Sequence, residues 1–215
     1  MNKINNFHLN SDFSDANMPP LLRFFRKHAK NGQAIYLRGK PGSGSHYIQT
    51  QVHVDIVAES FTGMSKTVEV KIVQQRYPDP YTAYCLETES CTVEGYESKG
   101  WMHTCKADIL AYSYLQDDGL HDLHLIDMHW LKNWFWNKAD LTSFTPHTME
   151  EENRTRSLLV PHKVINKANP TAITYWLIQP DGTAARRNLP VNKIPSNLMR
   201  ADNATGNKYK KFESA

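Results

Sequence analysis

Three cysteines in 215 residues, Cys85, Cys91 and Cys105, are too few and too odd in number for a disulfide framework, which fits a reducing compartment. With His103 they spell C-x5-C…H-x-C, a spacing that matches no standard zinc ribbon or finger, so buried thiols are the expectation. No apolar run approaches 18 residues, which excludes a membrane-spanning helix, and "MNKINNFHLN" lacks the apolar core of a signal peptide; a cytoplasmic location is expected. Charge of one sign is also lacking: 25 Lys and Arg against 22 Asp and Glu leave a formal +3, which permits nucleic-acid binding without implying it. The basic residues gather toward the ends, from Arg23 to Lys40 and from Arg186 to Lys211. Glycines cluster only in "GKPGSGSH", Gly39 to His46. That stretch fails as a phosphate loop, because no Gly-Lys-Ser/Thr closes it and a strand pattern follows; it reads as a turn, with Lys40 a candidate contact to a nucleic-acid backbone.

The stretch "VHVDIVAESFTGMSKTVEVK", Val52 to Lys71, is informative. Val52, Val54 and Ile56 alternate onto one side of an expected strand, leaving His53, Asp55 and Val57 on the other. Val68, Val70 and Ile72 repeat the pattern against Thr67, Glu69, Lys71 and Val73, with Gly63 in the turn between. A hairpin centred near Thr62 sets Asp55 opposite Glu69. Two facing carboxylates cost a few tenths of a kcal/mol up to about 1 kcal/mol. A divalent cation would offset that, since hard oxygen ligands on adjacent strands can hold Mg²⁺ while water and phosphate fill its other positions. Lys71 would then stand beside it as a fixed positive charge. An ordinary solvated sheet face with three surface charges is the competing account.

Asp55 followed by Glu69-Val70-Lys71 resembles the D…(D/E)-x-K signature of the PD-(D/E)xK nuclease superfamily. "GWMHTCKADILAYSYL" (Gly100 to Leu115) followed by "LHLIDMHWLKNWF" (Leu123 to Phe135) is similar to small phage and bacterial nuclease-like proteins, in which a Gly-Trp and a Lys-Ala-Asp precede a strand and a further strand runs into a helix. "CLETES", Cys85 to Ser90, resembles their extra glutamate-bearing strand, with Glu87 at the glutamate. The resemblance covers roughly residues 45–136 and weakly "TAITYWLIQP"; Val54 stands where the family's name has proline, and the expected N-terminal helix offers no acidic residue. It implies an α/β (α+β) fold with a restriction-endonuclease-like core, a mixed β-sheet flanked by helices. The implied activity is that of a metal-dependent endonuclease, a hydrolase of phosphodiester bonds with DNA as substrate, in the host cytoplasm if phage-encoded.

The resemblance also implies that Asp55 and Glu69, with the Val70 carbonyl, hold Mg²⁺ or Mn²⁺, and that Lys71 acts on water or phosphate. Glu87 either helps to place a metal-bound water or is structural, and His53 either serves the active face or fills space in the sheet. Arg154 and Arg156 are candidate phosphate contacts. A homodimer would suit a nuclease cutting both strands. The alternative is a non-catalytic module that binds nucleic acid or protein on the same fold.

Along the chain, residues 1–17 are polar and expected to be loose, and residues 18–138 are the expected nuclease-like core. "MPPLLRFFRKHAKNGQ" reads as a helix with Pro19 and Pro20 in its first turn and Leu21, Leu22, Phe24 and Phe25 on its apolar face. Residues 81–89 read as a strand, and Thr104 as a cap of a short helical segment. A hairpin is expected around Asp118-Gly119, then a helix in "HWLKNWFWNK" whose Trp130, Trp134 and Phe135 belong to the core. Residues 139–157 are expected as a mobile loop, residues 158–200 as a C-terminal β-hairpin extension turning at Asp181-Gly182, and residues 201–215 as a disordered basic tail.

Overall fold

A computed structural model of the chain describes residues 6–37, 44, 48, 52–59, 64–74, 83–148 and 154–187. Met18, Leu21, Phe24 and Phe25 recur at three- and four-residue spacing and form the buried stripe of helix α1 (Asn6–His28). The helix begins at Asn6, so the expected loose segment is helical over much of its length, and Pro19 and Pro20 lie inside the helix rather than in its first turn. Prolines in a helix interior remove two N–H donors and bend the chain. Contacts just upstream hold the helix past them: Tyr36 of the sheet donates its hydroxyl hydrogen to Asp15, a tertiary contact, and within the helix the Asn17 side-chain amide donates to the Phe13 carbonyl one turn back at 2.8 Å.

Among the described residues two sheets form. The first is seven-stranded, in the order β1 (Ala34–Tyr36), β2 (Ile56–Glu59), β3 (Ser65–Gln74), β6 (Ile109–Leu115), β7 (His121–Asp127), β10 (Ile173–Ile178), β11 (Ala184–Arg187). Every neighbouring pair is antiparallel except β3 and β6. A parallel pair needs a crossover. Here it contains β4 (Ala83–Cys91), β5 (Ser98–Lys99) and the short helix α2 (Trp101–Thr104). Strand β4 then pairs with β9 (Arg156–Pro161), which pairs with β8 (Thr145–Thr148), giving a four-stranded antiparallel sheet ordered β5-β4-β9-β8.

The molecule is layered. One face of the larger sheet, through Ile56, Val68, Val70, Ala111, Leu123 and Ile178, packs on α1. The other face, through Leu110, Tyr112, Tyr114, Ile126 and Tyr175, meets Tyr84, Leu86 and Val160 of the smaller sheet. That second core also takes α2, helix α3 (Met128–Asn137) and helix α4 (His162–Ala168) through Trp101, Met102, Leu131, Phe135 and Ile165. Each fully buried aliphatic or aromatic side chain in these cores contributes about 1.5–3 kcal/mol of burial free energy.

Both Asp-Gly hairpins form: Gly119 and Gly182 sit at φ +81° and +84°, where a side chain would be strained. Residues 139–157 do not form a loop throughout, because Thr145–Thr148 is an edge strand of the smaller sheet and β9 begins at Arg156. Pro146 is tolerated there since an edge strand leaves one row of N–H groups unpaired. Nor are residues 158–187 an extension: β9 and α4 build the interlayer core, and β10 hydrogen-bonds β7 along its whole length. The expected turn at Thr62-Gly63 and the tail 201–215 lie outside the described residues.

Candidate active site

Strand β3 alternates as its sequence requires. Val68 and Val70 face α1, while Glu69 and Lys71 share the face of their β6 partners Leu110 and Tyr112, between the two sheets. The β2–β3 ladder runs Glu59↔Ser65 to Ile56↔Val68. One further step would set Asp55 against Glu69, but the ladder ends first: the Asp55 N–H donates to the Val68 carbonyl at 2.8 Å, and His53 adopts φ +50°. Residues 52–55 are therefore not the regular strand that their alternation predicts, and Val54 turns into the interlayer core while Ile56 faces α1. Histidine, with asparagine and aspartate, is among the non-glycine residues that tolerate this left-handed region.

The break gives Asp55 its place. Its Oδ2 accepts a hydrogen bond from the Val70 N–H at 2.8 Å, so the carboxylate occupies the edge of β3 that β2 has vacated. The N–H and C=O of one strand residue point to the same side, so the Val70 carbonyl is aimed at that edge too. Glu69 is 3% exposed, and its Oε1 lies 2.6 Å from Lys71 Nζ. Burial opposes the Lys71 charge, yet Glu69, by attraction and hydrogen bond, then Asp55 and Glu87, together hold the ammonium above its ordinary pKa. Three carboxylates on three chain segments thus act on one cation.

Glu87 reaches this point from β4. Its Oε1 accepts from the Trp101 N–H at 3.3 Å, and burial pushes its carboxyl pKa up, against the opposing pull of Lys71 and that hydrogen bond. The Trp101 ring lies beneath Lys71, with Nζ 5.4 Å from the ring centroid. His53 is half-buried beside the group; burial first, then Lys71, push its imidazole down to about 4, against Asp55, so it is neutral at pH 7. Cys105 donates its thiol hydrogen to the His53 carbonyl at 3.4 Å, and burial, reinforced by Glu69, pushes that thiol up to about 11.

Asp55, Glu69, Val70, Lys71, Glu87 and His53 are therefore brought into one region. Arg156 is on β9, paired with Glu89 at 3.2 Å, and Arg154 is exposed with φ +45° and accepts the Thr92 hydroxyl hydrogen on its carbonyl. Lys40 lies outside the described residues. Among the described residues no group of three or more His, Cys, Asp or Glu side chains stands close enough to hold a metal ion by itself, the cysteines and His103 included.

Sequence reasoning missed several participants. Thr104 does not cap α2; Gly100 stands at its N-terminus, and Thr104 closes its last turn by donating to the Gly100 carbonyl. Asp127 caps α3 by accepting from the Trp130 N–H. Asp108 accepts the Thr67 N–H and hydroxyl hydrogens and so ties the start of β6 to β3. A second polar group lies between the sheets, where Tyr84 contacts His124 Nδ1 at 2.8 Å and Tyr114 contacts His162 Nε2 at 2.7 Å. Tyrosines alternating in "AYSYL" carried a strand signal, but nothing in them announced histidine neighbours from β7 and α4.

No protein-family model matches the chain, and no curated protein or solved structure matches it either.

Proposed function

We propose that the protein is a metal-dependent endonuclease of the PD-(D/E)xK type, hydrolysing phosphodiester bonds in DNA on a restriction-endonuclease-like core. The observation that carries this reading is the grouping of Asp55, on the Val70 N–H, Glu69, 2.6 Å from Lys71 Nζ, and Glu87, on the N–H of the Trp101 that Lys71 overlies. The charge of that group favours a further cation, since up to three carboxylates face one ammonium. Its donors are hard oxygens, which suits Mg²⁺ or Mn²⁺. Mg²⁺ keeps several waters and needs only one or two carboxylates from the protein, so Asp55, Glu69 and the Val70 carbonyl are a sufficient set without a preformed cage. The chain order supports the reading as well: Gly100-Trp101 and Lys106-Ala107-Asp108 lead into β6, and β7 runs directly into α3.

When bound, the metal would lower the pKa of a coordinated water and neutralise charge on the scissile phosphate. Lys71 has three N–H donors, of which the contact to Glu69 engages one; the others can orient a water or meet negative charge developing on phosphorus-bound oxygen. Glu87, whose carboxyl pKa is raised by burial against the pull of Lys71, can accept a hydrogen bond from a water.

A second reading is favoured by one contact. Glu69 is already neutralised by Lys71 at 2.6 Å, as it would be in a fold retained for nucleic-acid or protein recognition alone. One assay separates the two. Supercoiled, linear and single-stranded DNA are incubated with the protein and Mg²⁺ or Mn²⁺, with and without a chelator. Metal-dependent nicking that the chelator abolishes is expected; no cleavage of any substrate with either metal would leave recognition as the function.

A further inference from the structure

We propose that Trp101 is a positioning residue for this site, holding the Lys71 ammonium on its ring face and the Glu87 carboxylate on its backbone N–H. The proposal rests on the nuclease reading above. Its basis is the frame around Trp101. Gly100 is pressed against β4: its N–H donates to the Thr88 carbonyl at 2.8 Å, and a Cβ there would stand 2.6 Å from the Glu87 carbonyl oxygen. Only glycine permits that approach. From the other side, α3 grips the end of α2, because Lys132 donates to the carbonyls of His103 and Cys105 and the Trp136 indole donates to the Met102 carbonyl. Trp101 itself is 3% exposed, so its ring has little freedom.

The chemistry explains why an aromatic face belongs there. Lysine has four rotatable side-chain bonds, and one contact to Glu69 leaves the ammonium free to swing about it. A π face attracts the charge without accepting one of its hydrogens. The two donors not used by Glu69 stay available for water or phosphate, which a further carboxylate or a carbonyl in Trp101's place would consume. The same residue's N–H fixes Glu87 at 3.3 Å, so a single rigid turn sets both groups relative to β3.

The test compares the parent chain with Trp101→Leu and Trp101→Met, the latter filling the site with a flexible side chain that has no π face. Far-UV circular dichroism and urea midpoints establish which variants fold. In the parent, the Lys71 ε-methylene protons, assigned through Lys71→Arg, should resonate upfield because of the indole ring current. In a folded variant that shift should vanish, and kcat for plasmid nicking should fall about tenfold, the order that a partly desolvated cation–π contact represents, with KM within about twofold. Trp101→Phe should restore most of both. Lys71 resonances unchanged in the variants, or kcat unchanged once the shift is gone, would overturn the proposal. A parent protein that cleaves nothing would overturn the nuclease reading instead, and the spectra would decide the Trp101–Lys71 contact alone.

Discussion

Lys71 Nζ stands 2.6 Å from Oε1 of Glu69, two residues back on the same face of β3, with Glu69 buried and the Lys71 side chain 32% exposed. Exposed ion pairs contribute about 0–1 kcal/mol, whereas removing one partner of a fully buried pair costs about 3–5 kcal/mol. The partial exposure of Lys71 puts this pair between those limits. Lys71→Ala should destabilise the metal-free protein by about 1–3 kcal/mol in urea unfolding, because it leaves the Glu69 carboxylate without its cation. Mg²⁺ should recover part of that loss, and nicking should fall about 100-fold or more. A variant that cuts at the parent rate would remove Lys71 from the chemistry. Glu69→Gln should act on the other half, weakening Mg²⁺ or Mn²⁺ binding in a calorimetric titration by removing a charged oxygen ligand.

Acid should destabilise the fold through His121. This residue is 1% exposed, its Nδ1 lies 2.8 Å from the Ser113 hydroxyl, and burial pushes its imidazole down to about 4. Its folded-state pKa is thus below the unfolded value of about 6.5, so the unfolded chain binds the extra proton as pH falls between them. Stability is then full above about pH 6.5 and declines toward pH 4, by about 2 kcal/mol from this residue between pH 7 and 5. His53 acts in the same direction, and Glu87, whose pKa is raised, acts in the opposite one. Urea midpoints measured from pH 7 to 5 should fall for the parent and fall less steeply for His121→Gln. Equal slopes would mean that the histidine does not titrate on unfolding.

Thiol reactivity should discriminate among the cysteines. Cys105 is buried and pushed up to about 11, whereas Cys85 and Cys91 are half-buried, with Cys85 also raised by burial. At pH 8 a thiol of pKa near 11 is about a thousandth ionised, against about a quarter for an unperturbed one. A disulfide reagent should modify Cys91 first and Cys105 only when the chain unfolds. Rapid native labelling of Cys105, located by peptide mass, would contradict its placement under His53.

Tyr84→Phe tests the interlayer polar group. Tyr84 and His124 are both fully buried, and the substitution leaves His124 Nδ1 without the hydroxyl at 2.8 Å. A buried polar atom stripped of its partner costs about 1–3 kcal/mol, and thermal or urea unfolding should show a loss of that size. A neutral or stabilising outcome would mean that the imidazole re-pairs within the cluster.

The chain's own order determined much of this arrangement. Period-two alternation set Glu69 and Lys71 on one face of β3, the Asp-Gly pairs set two hairpins, and the apolar spacing of Leu21 and Phe24 set the buried stripe of α1. These are local effects, carried by backbone geometry and by the pattern of side chains along a few residues. Long-range contacts decided the rest. Two prolines read as a helix start because an isolated helix breaks there, yet contacts upstream of them anchor the helix across the break. The valines before Asp55 read as strand, but the ladder stops at Ile56, and the carboxylate takes over a backbone donor of β3 instead. Strand β4 carried an ordinary alternating pattern; only the parallel pairing of β3 with β6, which sends the crossover over one sheet face, made it part of a second sheet and brought Glu87 and Trp101 onto Lys71. Residues so far apart in sequence meet because two layers close over a common core, and no periodicity within either segment records which side chain it will face.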